Sequence, residues 1–240
     1  MIKIGNCGWS YLNARRYFGN DWNNKFLSKL QAYAGLFDLV EINSTFYKIP
    51  KTKTAERWRE EVDEINPGFE FTVKAPQIIT HRDRFSSNKS FEAFEQIKEI
   101  CKTLKAKILV FQSPASFKPN NENIKAVNKF FNKIDREGLI FVWEVRWERD
   151  WKKDIVTKVF SALDLNQCVD PLRQDCFFCK NLLYYRLHGF GRPMYNYTFT
   201  DDELEKIKDK SMSKKPVYVL FNNVSCYEDA LRFKKILNES

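Results

Sequence analysis

What most restricts the fold of this chain is a regular alternation of short β-branched and aromatic runs with longer amphipathic stretches. Strand-like runs fall at residues 3–9, 39–43, 69–74, 107–112, 139–146, 166–170, 182–188 and 217–222. Helical periodicity fills 24–36, 54–65, 90–104, 121–136, 151–163, 201–208 and 227–237, and only the stretch after Asp170 lacks it; its RQDCFFCK has room for a single turn. Strands that alternate with helices pair in parallel. Eight such units in 240 residues match the (β/α)8 TIM-type barrel, about 250 residues in size. An open doubly wound sheet would satisfy the same alternation, but its glycine fingerprint for dinucleotides is missing. Turn signals such as Asn66-Pro67-Gly68, Ala75-Pro76 and Ser113-Pro114 punctuate loops, and no long Pro/Gly/Ser linker divides the chain. The reading is an α/β protein, a single barrel domain over residues 1–240.

Composition supports a packed protein: 43% hydrophobic residues exclude disorder as the main state. The 40 Lys and Arg against 31 Asp and Glu leave a net charge of +9. Such an excess fits an anionic partner, nucleic acid or nucleotide among them, and equally a lysine-rich solubilising surface. The N-terminal MIKIGNCGWS has no basic stretch leading into an apolar one. No run of about 18 apolar residues occurs anywhere, so a soluble cytoplasmic protein with no membrane partner is expected. Six scattered cysteines agree with reduced thiols in the cytosol.

Strands buried on both faces should read almost wholly apolar, so ionisable residues near their C-terminal ends need a reason. The period of two puts Glu41 and Asn43 on one face of the second strand, and Glu144 and Arg146 on one face of the fifth. Arg186 and His188 share a face of the seventh, Lys74 ends the third, Asp170 the sixth, and Asn222 with Asn223 the eighth. In a barrel these side chains converge on the C-terminal mouth, where TIM-barrel active sites are built. A purely structural alternative is an ion-pair network of Glu41, Lys74, Glu144 and Arg186 filling the upper layer of the barrel, since buried charges must be paired. Trp9, Phe46, Tyr47, Trp147, Tyr195 and Tyr197 lie near the same ends and offer flat faces for a base or sugar. Trp143 alternates away from Glu144 and reads as packing.

The motifs GNCGWSY (residues 5–11), VEINSTFY (40–47), FTVKAPQIITH (71–81), WEVRWERDW (143–151), YRLHG (185–189) and VLFNN (219–223) resemble the YecE-like family, domain of unknown function 72. The resemblance runs through nearly the whole chain in order and implies a TIM barrel. It carries no activity with it. The pattern of the family falls on Gly8, Trp9, Glu41, Asn43, Phe46, Tyr47, Lys74, His81, Glu144, Arg146, Asp170, Arg186, His188, Gly189 and Asn222. Asn6, Cys7 and the CFFC after Asp170 depart from it.

Two histidines, His81 and His188, are too few for a trinuclear zinc centre like that of barrel endonucleases resembling endonuclease IV. Glu41, Glu144 and Asp170 supply the oxygen ligands that Mg²⁺ or Mn²⁺ would take. Cys176 and Cys179 have C-x₂-C spacing without a second pair or a thioredoxin-like context, and read as a loop. Gly189-Phe190-Gly191 opens no helix; it reads as a βα loop where Arg192 can meet a phosphate. Glu41, Lys74, Glu144 and His188 are the candidate catalytic groups: paired carboxylates for acid–base work, an amine that clamps an anion or forms a Schiff base, and an imidazole proton shuttle. Trp9, Asn43, Phe46, Tyr47, His81, Arg146, Asp170, Arg186, Tyr195 and Asn222 are the candidate substrate contacts. The leading expectation is hydrolytic or lytic cleavage of a phosphodiester or N-glycosidic bond in a nucleic acid or nucleotide. Carbohydrate hydrolysis by Glu41 and Glu144 is the second, and a module that binds an anionic ligand without turnover the third.

Overall fold

The computed structural model describes residues 1–146, 149–192 and 195–239; Trp147, read above as a mouth aromatic, and Pro193 lie outside the described residues. Strands β1 (Ile2–Asn6), β2 (Leu39–Ile42), β3 (Glu70–Lys74), β4 (Ile108–Gln112), β5 (Ile140–Glu144), β6 (Leu165–Val169), β7 (Leu183–Leu187) and β8 (Val217–Phe221) close into a barrel in sequence order. All neighbours run parallel, and β8 returns to pair with β1. Helices α1 (Ala14–Phe18), α2 (Trp22–Lys25) and α3 (Lys29–Ala34) follow β1; α4 (Thr52–Asp63), α5 (Asn88–Thr103), α6 (Asn121–Lys133) and α7 (Lys153–Ala162) follow β2 to β5. α8 (Asp201–Ser211) and α9 (Cys226–Asn238) follow β7 and β8. No helix is long and apolar enough to cross a membrane among the described residues.

The alternation of side chains sorts the core into two layers. Leu39, Ile108, Val110, Val142, Cys168, Tyr184 and Leu220 pack together inside the barrel. Their sequence neighbours Val40, Leu109, Phe141, Trp143, Val169 and Phe221 belong to the larger core between the strands and helices. Trp143 is indeed packing: it is fully buried, stacks near Phe160 and donates from Nε1 to Ser113 Oγ at 2.7 Å. Gly5 has a steric reason, since a Cβ there would stand 2.1 Å from the Leu39 carbonyl oxygen. Below the apolar layer Lys3 pairs with Glu70, which also accepts from the Tyr218 hydroxyl at 3.0 Å, closing the bottom of the barrel.

Two expectations need correction. The helix expected over 24–36 is broken: Phe26 is extended, and Ser28 caps a new helix by accepting from Gln31 N at 3.2 Å. The first strand stops at Asn6 instead of running to Trp9, because Gly8 at φ +111° turns the chain. The stretch after Asp170 forms no helix, as its sequence suggested. There Gln167 takes over the outer face: its Oε1 accepts from Phe177 N at 2.7 Å, and its N–H donates to Phe178 O at 3.0 Å. β6 meets β7 only through Cys168–Tyr184 and Val169–Tyr185.

Candidate active site

The inner face of β7 delivers the central group. Arg186 is 1% exposed, and its guanidinium lies between two carboxylates. Nη2 is 3.0 Å from Glu41 Oε1, and Nη1 donates to Glu144 Oε2. Nη1 also reaches Gln112 Oε1 at 3.3 Å, and Nη2 reaches Asn43 Oδ1 at 3.5 Å. Glu41 Oε2 accepts from the Tyr184 hydroxyl at 2.9 Å, which is itself hydrogen-bonded to Thr72 Oγ1 at 2.8 Å. Three members of the structural alternative, Glu41, Arg186 and Glu144, are therefore joined. Burial alone would push the Glu144 carboxyl up, but Arg146 and Arg186 outweigh it and hold it well below the ordinary range.

Lys74, the fourth, behaves differently. It ends β3 on the inner face, is 9% exposed, and its Nζ makes no hydrogen bond or ion pair among the described residues. Its ammonium lies 4.3 Å from the centroid of the Phe46 ring. Burial, then the charge of Arg186, lower its pKa to about 8. Lys74 forms part of the wall of a 640 Å³ cavity with Cys7, Asn43, Tyr47, Tyr195 and Asn222. Tyr11, Tyr17 and Tyr227 also line it, together with the charged Arg16 and Glu228. Tyr47 and Tyr11 stand 76% and 91% exposed at the rim.

A smaller cleft of 40 Å³ opens on the other side of Arg186, lined by Glu144, Arg146, Asp170, Arg173 and His188. Arg146 Nε donates to Glu144 Oε1 at 2.8 Å, and Arg146 Nη2 lies 3.5 Å from His188 Nε2. Asp170 Oδ2 accepts from the His188 backbone N–H at 3.1 Å, and Oδ1 from Leu172 N at 3.2 Å. Burial raises the Asp170 pKa to about 6 against those two bonds. Burial also lowers His188 to about 3 and, with Lys74 and Arg146, His81 to about 4, so both imidazoles are neutral at pH 7. Gly189 follows at φ +76°, where a Cβ would stand 2.4 Å from Tyr197.

Of the candidate substrate contacts, Asn43, Tyr47, Tyr195 and Asn222 reach the cavity, and Arg146 and Asp170 the cleft. Phe46 and His81 pack edge to face beside Lys74, with ring centroids 4.9 Å apart. Trp9 is outside the lining of either; it meets Trp58 of α4 edge-on at 5.2 Å. Arg186 is committed to Glu41 and Glu144 and is no free anion clamp. Tyr197 donates to Glu203 Oε1 at 2.6 Å and braces α8 instead of offering a platform. The Mg²⁺ or Mn²⁺ expectation does not fit the donors. Arg186 stands between Glu41 and Glu144, Asp170 is spent on backbone amides, and no group of three or more His, Cys, Asp or Glu converges among the described residues. Gln112, Tyr184 and Tyr11 join the site without having been singled out. The period of two would have found Gln112 and Tyr184, which share a face with Val110 and Arg186.

Residues 3–240 match the family described as "Protein of unknown function DUF72". The UPF0759 protein YunF of Bacillus subtilis (strain 168) is 33% identical over 130 residues, 52% of this chain and 44% of that protein. The UPF0759 protein YecE of Escherichia coli (strain K12) is 34% identical over 82 residues, 34% of this chain and 26% of that protein. The matched stretches thus span less than half the length of either relative. A DUF72 family crystal structure from Enterococcus faecalis V583 superposes with a TM-score of 0.75 at 22% identity, covering 100% of this chain and 98% of that one. One from Thermotoga maritima MSB8 gives 0.73 at 24%, covering 99% of each. A D-psicose 3-epimerase crystallised in the presence of D-fructose gives 0.57 at 10%, covering 96% and 94%, a likeness of fold alone. With its closed parallel barrel and a family match from the first strand to the last helix, this chain belongs to the DUF72 family.

Proposed function

We propose that the protein is an enzyme of lyase type that opens an N-glycosidic or phosphodiester linkage in a nucleic acid or nucleotide, with Lys74 as its nucleophile. The observation that carries this reading is the Lys74 amine: nearly buried, unpaired among the described residues, with a pKa of about 8, on the wall of a 640 Å³ cavity. A lysine of ordinary pKa offers almost no free amine at neutral pH; one lowered by burial and a neighbouring cation offers a useful fraction.

The Lys74 Nζ lone pair attacks C1′ of the sugar, the C–N bond to the base breaks, and the base leaves with the proton shed by the new C1′ amine. The C1′–O4′ bond then opens, O4′ taking a proton from solvent, and the iminium so formed makes the C2′ proton acidic; its removal to water expels the 3′-phosphate. Exposed Tyr11, Tyr47 and Tyr195 at the mouth favour stacking on bases. Arg15, Arg16, Arg82, Arg84, Arg149, Arg173 and Arg192 fall in the loops and short helical turns that follow strands, which favours an anionic substrate. Carbohydrate hydrolysis is less favoured. It needs a carboxyl kept protonated, and two arginines keep Glu144 ionised.

The test is reductive trapping. An oligonucleotide bearing an abasic site, and separately ribose 5-phosphate, are incubated with the protein and borohydride. A covalent adduct mapped to Lys74, lost in Lys74→Gln, is the expected result; trapping of ribose 5-phosphate alone would select a small substrate. Salt-sensitive oligonucleotide binding with no adduct, unchanged in Lys74→Gln, would overturn the amine route and leave a binding module.

A further inference from the structure

The connection from β6 to β7 is the one βα unit whose helix is replaced by an extended segment, and that segment holds two of the six cysteines. Its backbone is pinned by Gln167 through Phe177 and Phe178, which fixes where Cys176 and Cys179 stand. Cys176 donates from Sγ to the Phe178 carbonyl oxygen at 3.5 Å, and the Cys179 thiol is close enough to perturb it. Lys215, just before β8, donates from Nζ to Cys179 O at 2.5 Å and to Cys179 Sγ at 3.6 Å. Both residues are half-buried. By contrast Cys101 and Cys168 are wholly buried, and Cys7 faces Arg186 inside the barrel.

We infer that Cys176 and Cys179 form a redox-active dithiol that exchanges with a low-molecular-weight disulfide of the glutathione type. The site is separate from the Lys74 cavity and does not rest on its chemistry. Lys215 Nζ donates to Cys179 Sγ, which singles out Cys179 as the attacking sulfur. Burial, then the neighbouring Cys179, push the Cys176 thiol up to about 12, so Cys176 stays protonated until the mixed disulfide has formed. Cys179 thiolate attacks one sulfur of the disulfide RSSR; a Cys179–SR bond forms, and the first RS⁻ leaves and takes a proton. Cys176 gives its proton to solvent and attacks Cys179 Sγ; the Cys176–Cys179 bond forms and the second RS⁻ leaves. Two protein thiols are oxidised and one disulfide is reduced to two thiols.

The test equilibrates the full, reduced chain with mixtures of glutathione and glutathione disulfide, alkylates the remaining thiols after unfolding, and maps peptides. Expected is a peptide containing Cys176 and Cys179 that is two hydrogens lighter and unalkylated, while Cys101 and Cys168 stay alkylated. Cys176→Ser accumulates a glutathione adduct on Cys179, and Lys215→Met slows that adduct about threefold or more. The inference is overturned if both cysteines of the wild-type chain stay alkylatable across the whole range, or if the bridge joins any other pair. The wild-type measurement decides this even where a variant fails to fold.

Discussion

A guanidinium with 1% exposure persists inside the barrel because Glu41 and Glu144 meet it from two sides. Arg186→Met leaves the buried Glu41 without a cation and Glu144 with Arg146 alone, and a loss of about 3–5 kcal/mol in urea unfolding is expected. The same change raises the Lys74 pKa, since Arg186 is one of the two causes that depress it. For Lys74 the sign runs with pH. Unfolded, it keeps its proton up to its ordinary 10.5; folded, only up to about 8. Between these values the unfolded chain binds more protons, so stability rises with pH there, and Lys74→Met flattens that rise in melting curves taken from pH 7.5 to 10.5. Turnover that needs the free amine climbs with pH and levels off above about 8. Which side chains share the mouth was legible in the sequence. The period of two within a strand set Glu41 beside Asn43 and Arg186 beside His188. The Glu41–Arg186–Glu144 bridge was legible as the structural alternative to a substrate clamp; that Lys74 stands outside it was not, because contacts across a barrel depend on register between strands that no single strand encodes.

At the scale of elements, the sharpest steric demand falls between β1 and β2. Gly5→Ala places a methyl 2.1 Å from the Leu39 carbonyl oxygen, so the two strands must part. A loss of at least about 1–3 kcal/mol is expected by thermal or urea unfolding. Gly68→Ala is its control: the nearest atom to its Cβ is the Asn66 side-chain oxygen at 3.4 Å, and little change is expected. Long helices were legible because their apolar stripe and caps agree, as in α8, where Thr200 and Glu203 form a reciprocal cap. The region between β1 and β2 was not. Its apolar spacing suits one helix over 24–36, yet Ser28 prefers to accept from the Gln31 N–H, which starts α3 and ends the turn before it.

For the whole molecule, the closed ring of eight strands and the family match agree with the alternation first read from the chain. The net charge of +9 was legible; its placement was not, because which charged residues share one end of the barrel is decided only when the strands align. If a single-stranded oligonucleotide binds that mouth through about six phosphates, its affinity falls roughly 300-fold between 50 and 200 mM salt. Fluorescence anisotropy measures this, and a flat salt response would move the charge to general solubility. The replacement of one helix by the Cys176–Cys179 segment has a kinetic consequence. A barrel offers no terminal strand to peel away, so it opens where its outer cover is thinnest. Strands β4 and β5 carry Phe111, Phe141 and Trp143 under tightly packed rings, whereas β6 and β7 lie beneath an extended strip held by hydrogen bonds to Asn166 and Gln167 in place of a packed helix. In native-state deuterium exchange, amides along β6 and β7 therefore lose protection first, and the ring unzips from that seam toward β4.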